Sequence, residues 1–262
     1  MKPWTTKKLR NLKKTNGQKL SMLTCYDFQT AQMLNESQVD LILVGDSLGN
    51  VILGYDTTVS VTLQEMIIFG SAVKRGAPNK FTVIDLPFGT YATRDLAIKN
   101  GLELFQKTKA ESLKLEGHSK EILQSIELLT SAGVPIMGHL GLTPQSVHEQ
   151  GGYFTHGKTS EEEDKIINQA IELENAGVFA IVLECVTSRL AKIIEEKITI
   201  PTIGIGSGNG TTGQVLVLND LLGLGKNDPP SFCQPVSKLF NEKLKLTNTY
   251  IESVHQTAGN TQ

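Results

Sequence analysis

Short apolar runs that end in a polar or charged residue recur along the whole chain. The stretch "LILVGDSLGN" (41–50) sets the pattern, with four apolar residues followed by Gly45, Asp46 and Ser47. "KFTVIDLPFG" (80–89) is apolar up to Asp85. "SLKLEGH" (112–118) alternates, which puts Lys114 and Glu116 on one face of a strand. "VPIMGHLG" (134–141) reaches His139, and "FAIVLEC" (179–185) reaches Glu184. With "KLSMLTCYD" (19–27), "IPTIGIGSGNG" (200–210) and "GQVLVLND" (213–220), the candidate strands number eight.

Most of the gaps carry a helical period: "TLQEMIIFGSAVKRG", "SKEILQSIELLTSAG", "SEEEDKIINQAIELENAG" and "TSRLAKIIEEK". Several open on Ser, Thr or an acid and close on Gly, as helix caps do. Strands alternating with helices imply parallel pairing with the helices outside. Eight such units predict a (β/α)₈ TIM barrel, with little room for a full helix between the last two strands. A doubly wound open sheet is the alternative, but no GxGxxG follows the first strand. One barrel domain is expected over residues 1–262, with an N-terminal helix at about 3–17 and a C-terminal helical tail at about 235–262.

Composition narrows the function. Hydrophobic residues make up 39% of the 262, enough for a large core, and a net charge of −2 offers nothing to nucleic acid. Aromatics at 6% also weaken any base-stacking reading. Cys25, Cys185 and Cys233 are an odd count without CxxC spacing, which suits a reducing compartment. The basic start, "MKPWTTKKLRNLKKTNGQKL", lacks the apolar core of a signal peptide. It reads as a short helix against one end of the fold, or alternatively as a polybasic membrane arm. No apolar run is long enough to span a bilayer, so a cytoplasmic protein without membrane or nucleic-acid partners is expected.

In (β/α)₈ barrels the pocket lies at the C-terminal ends of the strands. Asp46, Asp85, Lys114, Glu116, His139 and Glu184 all fall there. A strand-end acid can instead cap the next helix, but six polar groups from five strands favour pocket chemistry. Carboxylates without paired His or clustered Cys suit a hard cation such as Mg²⁺. Asp46 and Asp85 lead as ligands, with Glu116 acting directly or through water. Lys114 reads either as the ion-pair partner of Glu116 or as the site for a substrate carboxylate. Glu184, after "IVL", suits a general base whose pKa burial would raise. The Gly-rich "GIGSGNGTTG" (204–213) is a weak phosphate-site signal, and His118, His148 and His156 read as loop residues. These residues point to proton abstraction beside a carbonyl, with a metal stabilising the enolate.

The same residues resemble the ketopantoate hydroxymethyltransferase family. The matching stretches include "TCYD" (24–27), "LVGDSLGN" (43–50), "DLPFGTYAT" (85–93), "KLEG" (114–117), "GHLGLTPQSV" (138–147), "GGYFTHGK" (151–158), "LECV" (183–186) and "IGIGSGN" (203–209). The resemblance implies a barrel of the phosphoenolpyruvate/pyruvate type. It also implies transfer of a hydroxymethyl group from 5,10-methylenetetrahydrofolate to 3-methyl-2-oxobutanoate, giving 2-dehydropantoate for pantothenate biosynthesis. One Mg²⁺ per subunit is implied, held by Asp46 and Asp85 and completed by Glu116. Asp46, Ser47, Asp85 and Lys114 match keto-acid-binding positions, Glu184 the proton acceptor, and His139 a substrate-pocket histidine. A homo-oligomer, a decamer in bacterial members, is implied as well. Thr212, Asn219 and His118 depart from the family pattern, which puts folate-side contacts and loop detail in question. The rivals are a carbon–carbon lyase of the same fold and a non-catalytic barrel that binds a small anion at 204–213.

Overall fold

Side chains alternate across a strand, so every second residue of each strand shares the inside of a closed sheet. The computed structural model describes residues 4–15 and 19–259. In chain order its first half runs α1 (Thr6–Arg10), β1 (Leu20–Thr24), α2 (Phe28–Glu36), β2 (Leu41–Val44), α3 (Leu63–Gly76), β3 (Phe81–Asp85), α4 (Arg94–Thr108) and β4 (Ser112–Glu116). There follow α5 (Lys120–Ser131), β5 (Ile136–Gly141), α6 (Val147–Gln150), α7 (Ser160–Asn175), β6 (Ala180–Glu184), α8 (Ser188–Lys197), β7 (Thr202–Ile205), β8 (Gly213–Leu216), α9 (Leu218–Leu221) and α10 (Leu239–Gly259). The eight strands pair in sequence order, parallel throughout, and close into a barrel. The fold is the expected (β/α)₈ barrel.

Leu41 and Leu43 of β2, Phe81 and Val83 of β3, Met137 of β5 and Ala180 and Val182 of β6 belong to one buried cluster. One more step of the same alternation reaches Asp85 in β3, His139 in β5 and Glu184 in β6. The apolar rows that fill the barrel therefore deliver polar groups at its C-terminal end. Register completes the placement, since Asp85 pairs with Lys114, Glu116 with His139, and Gly141 with Glu184.

The other face of the strands meets the helices closely. A Cβ on Gly101 of α4 would lie 2.7 Å from Leu129 of α5, so glycine sets that helix–helix approach. The sequence pattern misses α4 for the same reason. Its buried stripe is Ala97, Gly101, Leu104 and Thr108, mostly small residues that carry little hydrophobic signal. The missed α2 buries only Ala31 and Leu34. Between β7 and β8 there is no helix, in line with the short gap.

The helix expected at residues 3–17 appears as α1 and a separate 3₁₀ turn, Leu12–Thr15. Asn11 ends α1 and returns its side-chain N–H to the Lys7 carbonyl at 2.9 Å. The break lets both Leu9 and Leu12 enter the barrel's core cluster. Residues 3, 16 and 17 of that expectation lie outside the described residues. Two of the basic side chains are committed to the barrel: Arg10 donates to the Gly177 carbonyl at 2.6 Å, and Lys13 pairs with Glu195 at 3.1 Å. No helix among the described residues is long and apolar enough to cross a membrane.

The chain divides into two compact units, Met1–Val215 and Leu216–Gln262. In the second, the Val236 and Leu239 amides donate to the carbonyls of Leu221 and Leu222, folding the chain back on α9 before α10 begins.

Phe179 is fully buried and packs edge-on against Phe81, with ring centroids 5.7 Å apart, where β3 and β6 begin. Phe179→Ala should lower unfolding free energy by about 3–5 kcal/mol, the usual cost of emptying such a site. Urea unfolding followed by circular dichroism checks this. Turnover per folded molecule should stay near wild type, because the polar groups sit at the opposite ends of the strands.

Candidate active site

Capping is not the work of Asp46, Asp85, Glu116 or Glu184. Thr62, Thr93, Ser119, Thr159 and Thr187 cap α3, α4, α5, α7 and α8 through their own side chains. Of the strand-end acids, Asp27 does cap a helix, accepting from the Thr30 amide at the start of α2. Asp46, Asp85 and Glu116 are instead buried and face one another.

Lys114 lies at the centre of this group. Its Nζ is 3.1 Å from Asp85 Oδ1, 3.6 Å from Glu116 Oε1 and 3.2 Å from His139 Nδ1. Burial works against its charge, but Asp85, Glu116 and Asp46 outweigh burial and hold the ammonium protonated. The Asp46 amide donates to Asp85 Oδ2 at 3.1 Å, joining the ends of β2 and β3. His139 Nδ1 is 3.3 Å from Glu116 Oε1, and its Nε2 is 3.3 Å from Glu184 Oε2. Burial and Lys114 disfavour the imidazolium, yet Glu116 and Glu184 prevail and push the His139 pKa up to about 9. A line of alternating charge thus runs from Asp85 through Lys114, Glu116 and His139 to Glu184. Ser47 Oγ meets the buried Tyr26 hydroxyl at 2.8 Å beside Asp46.

Negative charge remains in excess. Burial, then Glu116 and Asp85, push the Asp46 carboxyl well above the usual range. Burial also raises Asp85, and Lys114 offsets only part of that. Glu116 goes the other way, because His139, Lys114 and the Gln145 amide outweigh its burial. Among the described residues no three His, Cys, Asp or Glu groups already converge as a metal cage. The donor set nevertheless fits Mg²⁺, which takes one or two carboxylates and leaves its other positions to water and substrate. Asp85 Oδ1 is buried with no aligned hydrogen bond, and Asp46 Oδ2 accepts from Gln145.

The end of β6 is fastened on every side. The Leu142 amide donates to the Glu184 carbonyl at 2.9 Å, and the His156 amide donates to the Cys185 carbonyl at 2.8 Å. Ser207 Oγ donates to the Leu183 carbonyl at 2.8 Å and accepts from the Val186 amide at 3.2 Å. That gives the Gly-rich stretch a positioning task. Cys185 holds a left-handed φ of 48°, a strained value for a non-glycine residue. It is half-buried rather than fully buried, and burial together with Glu184 pushes its thiol up to about 11, so it is no ready nucleophile.

A family model described as ketopantoate hydroxymethyltransferase matches residues 3–258. The chain belongs to the ketopantoate hydroxymethyltransferase family. Relatives named 3-methyl-2-oxobutanoate hydroxymethyltransferase include one from Legionella pneumophila (strain Lens), 44% identical over 94% of both chains. One from Leptospira interrogans is 46% identical over 88% of both, and one from Bacillus cereus (strain G9842) is 45% identical over 92% of this chain and 87% of its own. Solved structures share the fold at low identity. A phosphonopyruvate hydrolase, solved with oxalate and Mg²⁺, aligns with a TM-score of 0.62 at 8% identity, covering 82% of this chain and 81% of that one. A 2,3-dimethylmalate lyase of the PEP mutase/isocitrate lyase superfamily aligns at 0.60 and 12% identity, covering 81% and 78%. Family membership makes the chain an enzyme, a hydroxymethyltransferase.

Two of the departures from the family pattern find local partners. Thr212 sits at the opposite end of the barrel, where its amide donates to Glu195 at 3.3 Å and its hydroxyl meets the same carboxylate. His118 pairs with Glu172 of α7. Sequence reasoning missed Gln145, which is buried among the acids. Its signal lay inside "GHLGLTPQSV", where the histidine drew the attention.

Gly141 makes the fastening of Glu184 testable. Its φ is +90°, and a Cβ there would lie 2.2 Å from the Glu184 carbonyl oxygen. Gly141→Ala should displace the end of β6 and lower kcat about 10²-fold, the usual effect of misplacing a reacting group by about 1 Å. Steady-state kinetics, with circular dichroism to confirm folding, checks this.

Proposed function

We propose that the chain transfers a hydroxymethyl group from 5,10-methylenetetrahydrofolate to 3-methyl-2-oxobutanoate, forming 2-dehydropantoate and tetrahydrofolate in pantothenate biosynthesis. Family membership supports the reaction class. The observation that carries the mechanism is the separation of charge: Asp46, Asp85 and Lys114 at one end of the chain of contacts, Glu184 at the other, His139 between. The proposal further makes the enzyme a cytoplasmic homo-oligomer, decameric as the resemblance implies.

In this reading Asp46 and Asp85 hold one Mg²⁺ per subunit, with Glu116 completing the site directly or through water. When bound, Mg²⁺ supplies a positive charge at the 2-keto oxygen where enolate charge collects, a contribution of several kcal/mol. Lys114 and the Ser47 hydroxyl bind and orient the keto acid, Lys114 through the substrate carboxylate. Lys114 also lies 3.6 Å from Glu116 Oε1, the partner in its alternative, ion-pair reading. Glu184 takes the proton from C3, and the C–H electron pair becomes the enolate π bond. His139, with Nδ1 towards Lys114, holds the Glu184 carboxylate through its other ring nitrogen, Nε2. C3 then attacks the folate-borne methylene carbon. The methylene carbon leaves both folate nitrogens: the new bond to C3 replaces one C–N bond and the hydroxyl of a water replaces the other. The C3 proton and the remaining proton of that water end on the two nitrogens of tetrahydrofolate.

The deciding experiment removes the base but leaves the anion site. Glu184→Gln should still bind the keto acid and Mg²⁺ but lose roughly 10²–10⁴-fold in turnover. Solvent exchange of the substrate's C3 proton, followed by NMR without folate, should be catalysed by the wild type and not by the variant. Exchange at the wild-type rate would make another group the base. Chelation should abolish 2-dehydropantoate formation, and activity without folate would favour a lyase of the same fold.

A further inference from the structure

We propose that Gln145, oriented by Tyr91, is a positioning residue that fixes Asp46 and Glu116 for cation binding; this rests on the metal reading above. Gln145 lies in a 3₁₀ turn, Pro144–Ser146, after β5, and is only 4% exposed. Its Nε2 donates to Asp46 Oδ2 at 2.7 Å and to the Leu86 carbonyl at 3.0 Å. Both amide protons are thereby used. Its Oε1 accepts from the Tyr91 hydroxyl, and its main-chain N–H donates to Glu116 Oε2 at 3.1 Å. One residue therefore holds an oxygen of two acids that end different strands.

The direction of the amide is determined by its surroundings. Turning it over would set Oε1 against a carboxylate and a carbonyl, two acceptors, at a buried site where unmatched polar groups are costly. Tyr91 supplies the donor that the correct orientation needs, and burial keeps its phenol protonated. A neutral amide also has an advantage over a cation at this place. Lys114 orients Asp85 and offsets part of the cost of its charge, whereas Gln145 orients Asp46 without placing a positive charge where a metal would sit. Two sequence stretches acquire a shared purpose: "DLPFGTYAT" brings Tyr91 and "GHLGLTPQSV" brings Gln145 to the same bond.

The test measures Mn²⁺ affinity by electron paramagnetic resonance on wild type, Gln145→Met, Tyr91→Phe and Asp85→Asn, each normalised to folded protein. Partners that hold metal ligands usually account for about 10–100-fold in affinity. Gln145→Met should therefore bind Mn²⁺ at least ~10-fold more weakly, and Tyr91→Phe a few-fold more weakly. KM for the keto acid should rise in step, while the rate of C3 proton exchange at saturating metal and keto acid should change little. A residue that merely stabilised the fold would lower the melting temperature without moving affinity per folded molecule. If Asp85→Asn loses Mn²⁺ while folded Gln145→Met stays within about twofold of wild type, the inference is overturned and the metal site stands. If Gln145→Met does not fold, unchanged affinity in Tyr91→Phe overturns it equally. If Asp85→Asn binds as wild type does, the metal reading fails and takes this inference with it.

Discussion

Burying an ammonium group among carboxylates is the constraint around which the upper half of the barrel is arranged. Lys114 is almost wholly enclosed, and Asp85 and Glu116 beside it are equally buried. Isolated, any of these charges would be too costly to keep inside a protein. Together they are tolerable because β3, β4 and β5 stagger so that Asp85, Lys114, Glu116 and His139 meet edge to edge. Removing one partner of such a group commonly costs about 3–5 kcal/mol, since the remaining charge is stranded. A fold need not retain such a cluster for stability, because apolar residues of similar size would serve as well or better. Its presence is therefore better explained by what it does to a substrate.

The barrel separates that expense from its own stability. At the lower end, Leu9, Leu12, Leu20, Met22, Phe81 and Phe179 form an apolar floor. Glu195 gathers Lys13, Thr202 and Thr212 beneath the strands, joining the N-terminal segment to α8, β7 and the start of β8. Among the described residues, none of the candidate site residues lies at this end. Thr212 can thus differ from the family pattern without touching the polar groups above, because the change is absorbed by a local hydrogen bond.

The architecture was legible because each strand is a contiguous apolar run with a marked end, and eight such ends imply one geometry. The acids were legible for a related reason: a charge that ends a buried run has few places to go. Parity did the rest, turning Lys114 and Glu116 towards the same interior as Asp85, His139 and Glu184. What stayed hidden was written in quieter residues. Helix α4 hides its buried stripe in Ala, Gly and Thr, which pack by being small rather than by being apolar. Gln145 hides in a loop, where no periodicity marks burial. An uncharged residue gains significance only when its hydrogen-bond partners are known: its side-chain amide meets residues 46, 86 and 91, and its main-chain N–H meets residue 116.

The two ways of holding an acid in this pocket follow from different requirements. Asp85 is held by a cation and by the Asp46 amide, so much of its charge is already answered within the protein. Asp46 is held by a neutral amide and stays the more strained of the two, with burial and both neighbouring acids opposing its ionisation. Leaving one carboxylate oriented but uncompensated stores an electrostatic demand that an incoming positive charge can satisfy. Glu184 is kept out of that demand by distance along the chain of contacts and by His139, which touches both Glu116 and Glu184. The acids around Lys114 and the carboxylate of Glu184 are therefore held by different partners, although all of them lie at the C-terminal end of one barrel.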